Sequence, residues 1–332
     1  MMCKRLIIIA VVLTLSPAAF SQSSDKTSCD RACLENYVDR YMDAMLRNDP
    51  SLDLFSRDCK FTENGIRLPL GNEGLWLRMT GKGNYKFYVP DVETQRVAFI
   101  GTAREGGDQG EGELVAIAIR LKIVDGLITE AEQIVRRREA DTTGVIQELS
   151  VGEKVEQMGE PHEIYREAIP EAERASREKL IETANYYFTG LQKSDGKGYY
   201  PFTDDCNRIE NGSLGTNVPV PEGQKRPDPK TATESSVHWT CKEQFESGVF
   251  NFISRIRDRR FVAVDRERGI AFAFGFFDHD MLNWTWHLAE LFRIEKGNIR
   301  RIEAIYYRCP YGMNSGWSTY EQGMSDQIQS IR

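Results

Sequence analysis

The stretch that decides the fold is FSRDCKFTENG, residues 55–65, because a near copy of it, FTDDCNRIENG, stands at residues 202–212. The leading Phe, an Asp-Cys pair and a final Glu-Asn-Gly occupy the same places in both copies. An extended run that stops at Asn-Gly is typical of a strand followed by a tight turn, since both residues accept positive φ. A strand and turn written twice indicate an internal duplication.

The sequence on either side of this motif repeats as well. Apolar residues at helical spacing over 34–45 recur over 180–191, and LVAIAIRLKIVDGLITEAEQIVRR (114–137) matches HLAELFRIEKGNIRRIEAIYYR (287–308). Asp125-Gly126 and Lys296-Gly297 supply equivalent hairpin turns. Each repeat therefore predicts a long helix, a short strand, a smaller helix and three or four long antiparallel strands, which is an α+β fold.

The repeat boundaries follow from where the two copies match. The first repeat spans residues 28–138 and the second spans 176–318, with a polar, acidic connector over 139–175. After the Asn-Gly turn the match is lost until Leu75-Trp76 finds its partner in Val249-Phe250. The second repeat therefore carries a long insertion, residues 213–240. Loops of this length inside a compact domain are typically functional or disordered.

Four segments carry a resemblance to a known fold family. They are ENGIRLPLGNEGLW (63–76), YKFYVPD (85–91), LKIVDGLITEAE (121–132) and FRIEKGNIRRIEAI (292–305). Each half resembles the SnoaL-like branch of the nuclear-transport-factor-2-like (NTF2-like) superfamily, and the chain resembles secreted tandem proteins of that kind. The resemblance implies two tandem cones, each a curved antiparallel sheet wrapped around a long N-terminal helix. This fold hosts dehydratases, isomerases, cyclases, lyases and binding modules, so function must be argued from the site.

The N-terminal residues 1–21 have the pattern of a signal peptide. A Lys4-Arg5 pair precedes the apolar run Leu6–Leu15, and small residues suit cleavage before Gln22. No later segment approaches the roughly 20 apolar residues of a membrane span. We therefore expect a secreted, periplasmic or extracellular protein with no membrane association after cleavage. The net charge of −7 is not gathered in a tail, and nothing favours a nucleic-acid partner.

Cleavage removes Cys3 and leaves an even number of cysteines. In an oxidising compartment they predict up to three disulfides whose pairing stays open. Their scattered spacing, without Cys-x-x-Cys or His-x-x-x-His, makes a metal site the weaker alternative, and neither a metal nor a cofactor is expected. Glycosylation sequons begin at Asn211 and Asn283, and their use stays open. The disulfide candidates are Cys29, Cys33, Cys59, Cys206, Cys241 and Cys309.

The strand over residues 115–123 alternates between a continuous apolar face and a more polar one, so the apolar face must point inward. Carrying this alternation to the second repeat places Glu290 inward, where the first repeat has Ile119, in a row with Trp284, Trp286 and Phe292. Burial there would raise the pKa of the carboxyl toward values useful for proton transfer. We expect Glu290 to be a general acid or base, with the three aromatic residues binding substrate.

Glu290 also has a structural interpretation, in which it pairs with Arg257 or Arg293 between the repeats. Tyr307 is a candidate for stabilising an oxyanion, and Arg257 for orienting the substrate, with core packing as the alternative for the tyrosine. Glu303 is a further substrate-binding candidate, although a carboxylate in the same place in the first repeat favours a structural role.

The end of the insertion offers a second group of candidates. His238 and Trp239 precede Cys241, and a loop anchored by that cysteine could form a lid that carries His238 as a catalytic group and Trp239 as a binding group. The alternative is an ordinary surface loop.

The second repeat is thus the expected working unit. The leading hypothesis is an exported, cofactor-independent enzyme of the acid/base type, a lyase, dehydratase or isomerase acting on a small aromatic or carbohydrate-derived substrate. The rival is a non-catalytic secreted ligand-binding or interaction protein with paired domains. The expected partner is a small molecule; the repeats should pack on each other, and a homodimer is left open.

Overall fold

The computed structural model describes residues 28–139 and 148–330. The signal-peptide prediction and part of the predicted connector lie outside these residues. The first repeat contains α1 (Arg31–Arg47), β1 (Phe55–Glu63), β2 (Ile66–Arg67), α2 (Leu75–Arg78), β3 (Met79–Asp91), β4 (Arg96–Glu105), β5 (Glu113–Val124) and β6 (Leu127–Arg136).

The second repeat follows the same order of elements after the connector. The connector contains α3 (Val151–Gln157) and two single-turn 3₁₀ helices at Glu163–Tyr165 and Glu171–Glu173. The second repeat contains α4 (Arg177–Lys193), β7 (Phe202–Glu210), β8 (Ser213–Leu214), α5 (Cys241–Glu246), β9 (Arg255–Asp265), β10 (Ile270–His279), a 3₁₀ turn (Asp280–Leu282), β11 (Trp284–Glu295), β12 (Asn298–Pro310) and α6 (Tyr320–Gly323).

Both repeats build the same six-stranded mixed sheet. The strand order is β2-β1-β6-β5-β4-β3 in the first and β8-β7-β12-β11-β10-β9 in the second. The strand of the repeated motif pairs in parallel with the last long strand, and the remaining pairs are antiparallel. The prediction of two similar α+β units is confirmed.

The sheet topology explains why Asn-Gly occurs at the same place in both repeats. Asn64 and Asn211 adopt φ of 50° and 49°, and the glycine that follows each is also at positive φ. The side chain of Asn64 donates to the carbonyl of Val135 (3.1 Å) and accepts from its amide (2.8 Å). Asn211 makes the same two bonds with Tyr306, at 3.1 and 2.9 Å. The motif thus makes a turn and ties its strand to the last strand of the repeat.

Each long helix begins at a side-chain cap and buries one face. Asp30 accepts a hydrogen bond from the amide of Cys33 at the start of α1, and Ser176 accepts from Lys179 at the start of α4. Both helices end at a residue in the left-handed conformation, Asn48 and Ser194. Their buried faces pack on one face of their own sheet, which we call the interior face of each repeat.

A third core joins the two repeats through the opposite faces of their sheets, here called the inter-repeat faces. It contains Tyr85 and Ile100 from the first sheet and Phe272, Phe274 and Leu291 from the second. Val151 and Val155 of the connector helix α3 are part of it as well. The connector therefore contributes to the packing between repeats in addition to linking them.

The segment that follows β12 also packs on the second repeat. The guanidinium of Arg257 donates to the carbonyls of Met313 (2.7 Å) and Gly323 (3.0 Å), and Ser315 donates to Asp258 (2.7 Å). These bonds hold the segment after β12 against β9, and the bond to Gly323 lies beyond the predicted boundary at residue 318.

Two of the predicted disulfides form, Cys29–Cys33 and Cys206–Cys241. Cys59 and Cys309 are free, so the two copies of the motif differ: only Cys206 ties its strand to another element, the helix α5. Within the described residues, no helix is long and apolar enough to cross a membrane.

Candidate functional site

Glu290 lies on the interior face of the second sheet, as the strand alternation predicts. Its neighbours along β11 on that face, Leu288 and Phe292, belong to the interior core, and the side chain is 2 % exposed. Phe292 is fully buried against the rings of Tyr187 and Phe188 of α4. The two residues beside Glu290 in register, on β10 and β12, are both alanines.

The carboxyl of Glu290 holds its proton at neutral pH. Burial raises its pKa to about 8, and the nearby charge of Glu210 acts in the same direction. The positive charge of Arg208 and a hydrogen bond with Tyr187 oppose this rise only in part. Among the described residues, Oε2 has no hydrogen-bond partner. Glu290 thus presents a proton-bearing carboxyl with one unpaired oxygen, an arrangement concentrated at functional sites.

Arg208 lies on β7 and also points into the interior. Its side chain is 6 % exposed and forms an ion pair with Glu210, with Nε and Oε1 2.9 Å apart. The guanidinium carbon lies 5.4 Å from the ring centroid of Phe250. The negative charges and phenols around it raise the pKa of Arg208, so it stays charged. The site therefore contains a buried cation beside a neutral acid.

The first repeat has apolar side chains at the positions that carry this chemistry. The register of β1 with β6 and of β7 with β12 aligns the two repeats residue by residue. On this alignment three interior positions change from apolar to polar within one region of the sheet. The exchanges are Ile119 to Glu290, Phe61 to Arg208 and Val135 to Tyr306.

The first repeat instead fills this region with a closed hydrogen-bond network. Trp76 donates to the hydroxyl of Tyr41 (3.0 Å), which donates to the side-chain oxygen of Gln133 (2.8 Å). Gln133 donates to Glu63 (2.9 Å), and Glu63 also accepts from Arg137 (2.7 Å). Each buried polar group has a partner, which is the usual condition of a structural network.

The second repeat loses the groups that close this network. Phe250 replaces the indole donor, Ala304 replaces the bridging glutamine, and Arg308, the counterpart of Arg137, lies over the ring of Trp284 at 4.9 Å. Tyr187 and Glu210 remain from the set, without those partners. The same framework thus holds a satisfied network in one repeat and an open polar cluster in the other.

Aromatic side chains lead from this cluster towards solvent. Trp286 lies 4.9 Å from Tyr306 and 5.2 Å from Trp284, measured between ring centroids, and all three are half-buried. His279 stacks on Trp284 with ring centroids 3.9 Å apart, and Phe252, 40 % exposed, also stacks on His279 at 5.7 Å. We call these five residues the aromatic rim.

His279 in the rim is neutral at physiological pH, because burial lowers its pKa to about 4. Neither ring nitrogen has a hydrogen-bond partner among the described residues. The backbone of His279 completes β10, opposite Trp284 in register.

The structure does not bring Tyr307 and Arg257 to Glu290. Tyr307 points to the inter-repeat face, where its hydroxyl donates to the carbonyl of Asn64 (2.7 Å) and lies 3.2 Å from Nδ1 of His287. Arg257 pairs with Asp278 on the same face, with Nε and Oδ2 2.9 Å apart. The predicted placement of Tyr307 and Arg257 beside Glu290 is therefore wrong. Side chains alternate between the two faces of a strand, and Tyr306, one residue before Tyr307, is the tyrosine that faces inward.

The structural interpretation of Glu290 is not realised either. Arg257 is committed to Asp278, and Arg293 pairs with Glu295. Glu303, a predicted substrate ligand, also faces the other repeat, where it accepts a hydrogen bond from Tyr85 (2.7 Å). Burial raises the pKa of Glu303 to about 7. It is a second buried carboxyl with a raised pKa, on the opposite face of the sheet.

His238 and Trp239 hold the insertion together. Nδ1 of His238 lies 2.8 Å from the carbonyl of Val218, and the indole of the fully buried Trp239 donates to the carbonyl of Pro227 (2.7 Å). The Cys206–Cys241 bond fixes the end of the insertion to β7. These contacts give both residues a structural role in the loop.

The residues that the sequence argument missed are Arg208, Tyr187 and Glu210. A signal for Arg208 was present in the repeated motif, because CKFTENG has Phe61 where CNRIENG has Arg208. An arginine in place of an interior phenylalanine marks the same region as the exchange of Ile119 for Glu290.

Comparison with known proteins agrees with the duplicated architecture. A family model described as "Domain of unknown function (DUF8021)" matches residues 27–135 and 173–306. The chain belongs to this family. The two matched regions of the family model coincide with the two repeats.

Other comparisons add little to this assignment. A search among curated proteins gives no match. Among solved structures, the chain is similar to a de novo designed protein with a curved β-sheet, with 13% identity and a TM-score of 0.26, over 40% of this chain and 88% of that one. Within the described residues, no group of three or more His, Cys, Asp or Glu is placed to hold a metal ion.

Proposed function

We propose that this chain is an exported, cofactor-independent acid/base enzyme, an isomerase, dehydratase or lyase, whose active site is the interior of the second repeat. We further propose that each repeat is an NTF2-like cone of the SnoaL-like branch, with the sheet wrapped around its long helix. In this proposal the first repeat is the structural partner. The substrate is a small ring compound, aromatic or carbohydrate-derived.

The observation that carries the proposal is the state of Glu290. Its carboxyl is protonated, buried, unpaired at Oε2 and adjacent to Arg208, while the first repeat has an isoleucine at the same position. An unpaired polar oxygen in a core costs about 1–3 kcal/mol. Packing alone would favour the apolar residue, so the carboxyl is retained for another reason, which we take to be proton transfer.

One acid/base group suffices for the proposed chemistry. The carboxylate form of Glu290 removes a proton from carbon, and the electron pair moves into an enolate whose oxygen is stabilised by Arg208 and the hydroxyl of Tyr187. Returning the proton to a different carbon completes an isomerisation. Delivering it to a departing hydroxyl group completes a dehydration, with water and an alkene as products. A pKa of about 8 allows both forms of Glu290 to be present near neutral pH.

The aromatic rim supports a ring-shaped substrate. Trp284, Trp286 and Tyr306 are half-buried, with ring surfaces accessible from solvent. Such faces bind flat apolar rings and the apolar faces of sugars through dispersion and edge-to-face contacts. The predicted roles of Trp284 and Trp286 in substrate binding therefore remain part of the proposal.

A non-catalytic ligand-binding protein is the second candidate. It is favoured by the tight packing around the cluster, where Phe292 is fully buried and Glu290 nearly so. A ligand held in such a site could remain bound without reaction. The paired repeats would then present one binding pocket and one closed core.

The test is a screen of small cyclic carbonyl and hydroxyl compounds against the wild type and Glu290→Gln, with thermal shift for binding and chromatography for turnover. Glu303→Gln is the matched control, because it makes the same isosteric change at a buried carboxyl with a raised pKa on the opposite face. We expect turnover to be lost in Glu290→Gln and kept in Glu303→Gln.

Two outcomes would decide against catalysis. Turnover that survives in Glu290→Gln would remove the proposed acid/base group. Binding that is retained by both variants, with no product from any bound compound, would favour the ligand-binding candidate.

A further inference from the structure

We propose that the ligand of the second repeat carries a single carboxylate, which Arg208 binds through its guanidinium, with an aromatic ring extending to the aromatic rim. The inference rests on the proposed function for the location of the site and goes beyond it by naming the substrate class, an aromatic monocarboxylic acid.

The first step is that the donors of Arg208 are largely unused. Its side chain is more than nine-tenths buried, yet it donates no hydrogen bond within the described residues, and its Nε is enclosed without one. Its charge is met only by the ion pair with Glu210 and the ring of Phe250. The N–H groups of this guanidinium are therefore able to donate to the carboxylate of a ligand.

The second step is that Glu210 can release the arginine. Its first-repeat counterpart, Glu63, accepts bonds from the amide of Leu75 and from the side chains of Gln133 and Arg137. The carboxylate of Glu210 has Arg208 as its ion-pair partner and accepts no hydrogen bond within the described residues, and the side chain is 31 % exposed. A ligand carboxylate can therefore take the place of Glu210 while that side chain turns to solvent.

The third step is the local charge, which selects a monoanion. Arg208 is the cation, Glu210 balances it, and Glu290 is neutral when protonated. One arginine matches one planar carboxylate through two parallel hydrogen bonds. A phosphate dianion would need further cations, and Arg308, the next arginine along the interior row of β12, lies out over Trp284.

The fourth step is the shape of the ligand. Glu290 and Trp286 are four residues apart on one strand, which corresponds to about 13 Å at roughly 3.3 Å per residue. Tyr306 faces Leu288 in register and so lies between them. Arg208 acts electrostatically on the phenol of Tyr306, so a carboxylate at Arg208 would place an attached ring near Tyr306. The ring of an arylalkanoic acid reaches the level of Tyr306, two residues or about 7 Å along the strand from Glu290, whereas a short aliphatic acid would not reach the rim.

The test compares acids with isosteric neutral amides by isothermal titration calorimetry. The probes are 3-phenylpropanoate and benzoate against 3-phenylpropanamide and benzamide. The proteins are the wild type, Arg208→Gln, Arg208→Lys and the control Arg301→Gln, which removes an arginine from the other face of the same sheet. Circular dichroism and the unfolding midpoint establish that each variant folds.

We expect the wild type and Arg301→Gln to bind 3-phenylpropanoate roughly tenfold or more tightly than its amide, the ratio for a charge-assisted bond. The ratio should fall to near one in Arg208→Gln and be intermediate in Arg208→Lys, which keeps the charge but loses the planar fork. If Arg208→Gln does not fold, the ratio measured for Arg208→Lys decides the test.

Equal binding of acid and amide by the wild type would overturn the inference, as would failure of every acid to bind at millimolar concentration or an unchanged ratio in the arginine variants. Failure of the proposed function can be distinguished from failure of this inference. Selective acid binding without turnover of any acid would support the inference and refute the enzyme, whereas Glu290-dependent turnover of neutral compounds alone would do the reverse.

Discussion

Replacing Glu290 by glutamine should change how the stability of the protein depends on pH. In the native state burial raises the pKa of this carboxyl to about 8, whereas in the unfolded chain it titrates near its ordinary value of 4.5. Below the lower value both states are protonated. Between the two values the native state binds one more proton than the unfolded state, so the free energy of unfolding falls as pH rises.

The size of the effect follows from the two pKa values. The slope is about 1.4 kcal/mol per pH unit, so the wild type loses about 5 kcal/mol of stability from this group between pH 4.5 and pH 8. The contribution is complete below pH 4.5 and is gone above pH 8. Glutamine is neutral throughout, so the variant should lack this slope, and its stability advantage over the wild type should grow as pH rises.

The assay is urea unfolding of both proteins at intervals across this pH range, followed by tryptophan fluorescence and circular dichroism. Glu303→Gln is again the control, because the pKa of Glu303 is raised to about 7. Its removal should take away a smaller contribution, about 3 kcal/mol, that ends one pH unit earlier. The two variants thus differ in both the extent and the end point of the effect.

A difference between the wild type and Glu290→Gln that stays constant from pH 4.5 to pH 8 would refute the reasoning. It would mean that Glu290 is ionised in the native protein, and the acid/base role would lose its physical basis.

Three further predictions concern stability and can be checked by urea unfolding. Replacing Cys206 and Cys241 together by alanine should cost about 4 kcal/mol, because that disulfide closes a loop with a sequence separation of 35 residues; a loss under 1 kcal/mol would contradict this. Glu132→Gln should cost about 3–5 kcal/mol, since Arg260 donates two buried bonds to that carboxylate, both 2.7 Å long; a neutral effect would show that the charge is not needed. Asn211→Ala should cost about 1–3 kcal/mol through two lost bonds to the backbone of β12, and Asn211→Asp, which keeps one acceptor, should cost less.

The site was predictable only where strand alternation could be transferred between copies. The apolar face of β5 is unambiguous, so the inward position of Glu290 follows from aligning two similar strands. The last strand alternates less clearly, because Tyr306 and Tyr307 are adjacent phenols of the same kind. Only the packing of the second sheet shows that the first faces inward and the second faces Asn64.

The role of Arg208 could not be weighed from sequence for a similar reason. A strand position that holds Phe in one copy and Arg in the other is equally consistent with a change at a solvent-exposed edge of the sheet. Its burial depends on residues far away in the chain, such as Phe250, which meets it only after the sheet and the following turns have formed.

By itself, then, the sequence determined the duplication, the order of elements and the inward position of Glu290, because these depend on periodicities local to a strand or helix. Tertiary structure decided which cysteines pair, which tyrosine and arginine meet Glu290, and that the other sheet faces close on each other. Those outcomes depend on contacts between distant segments. The first repeat satisfies such contacts with Gln133 and Arg137, and the second leaves them open.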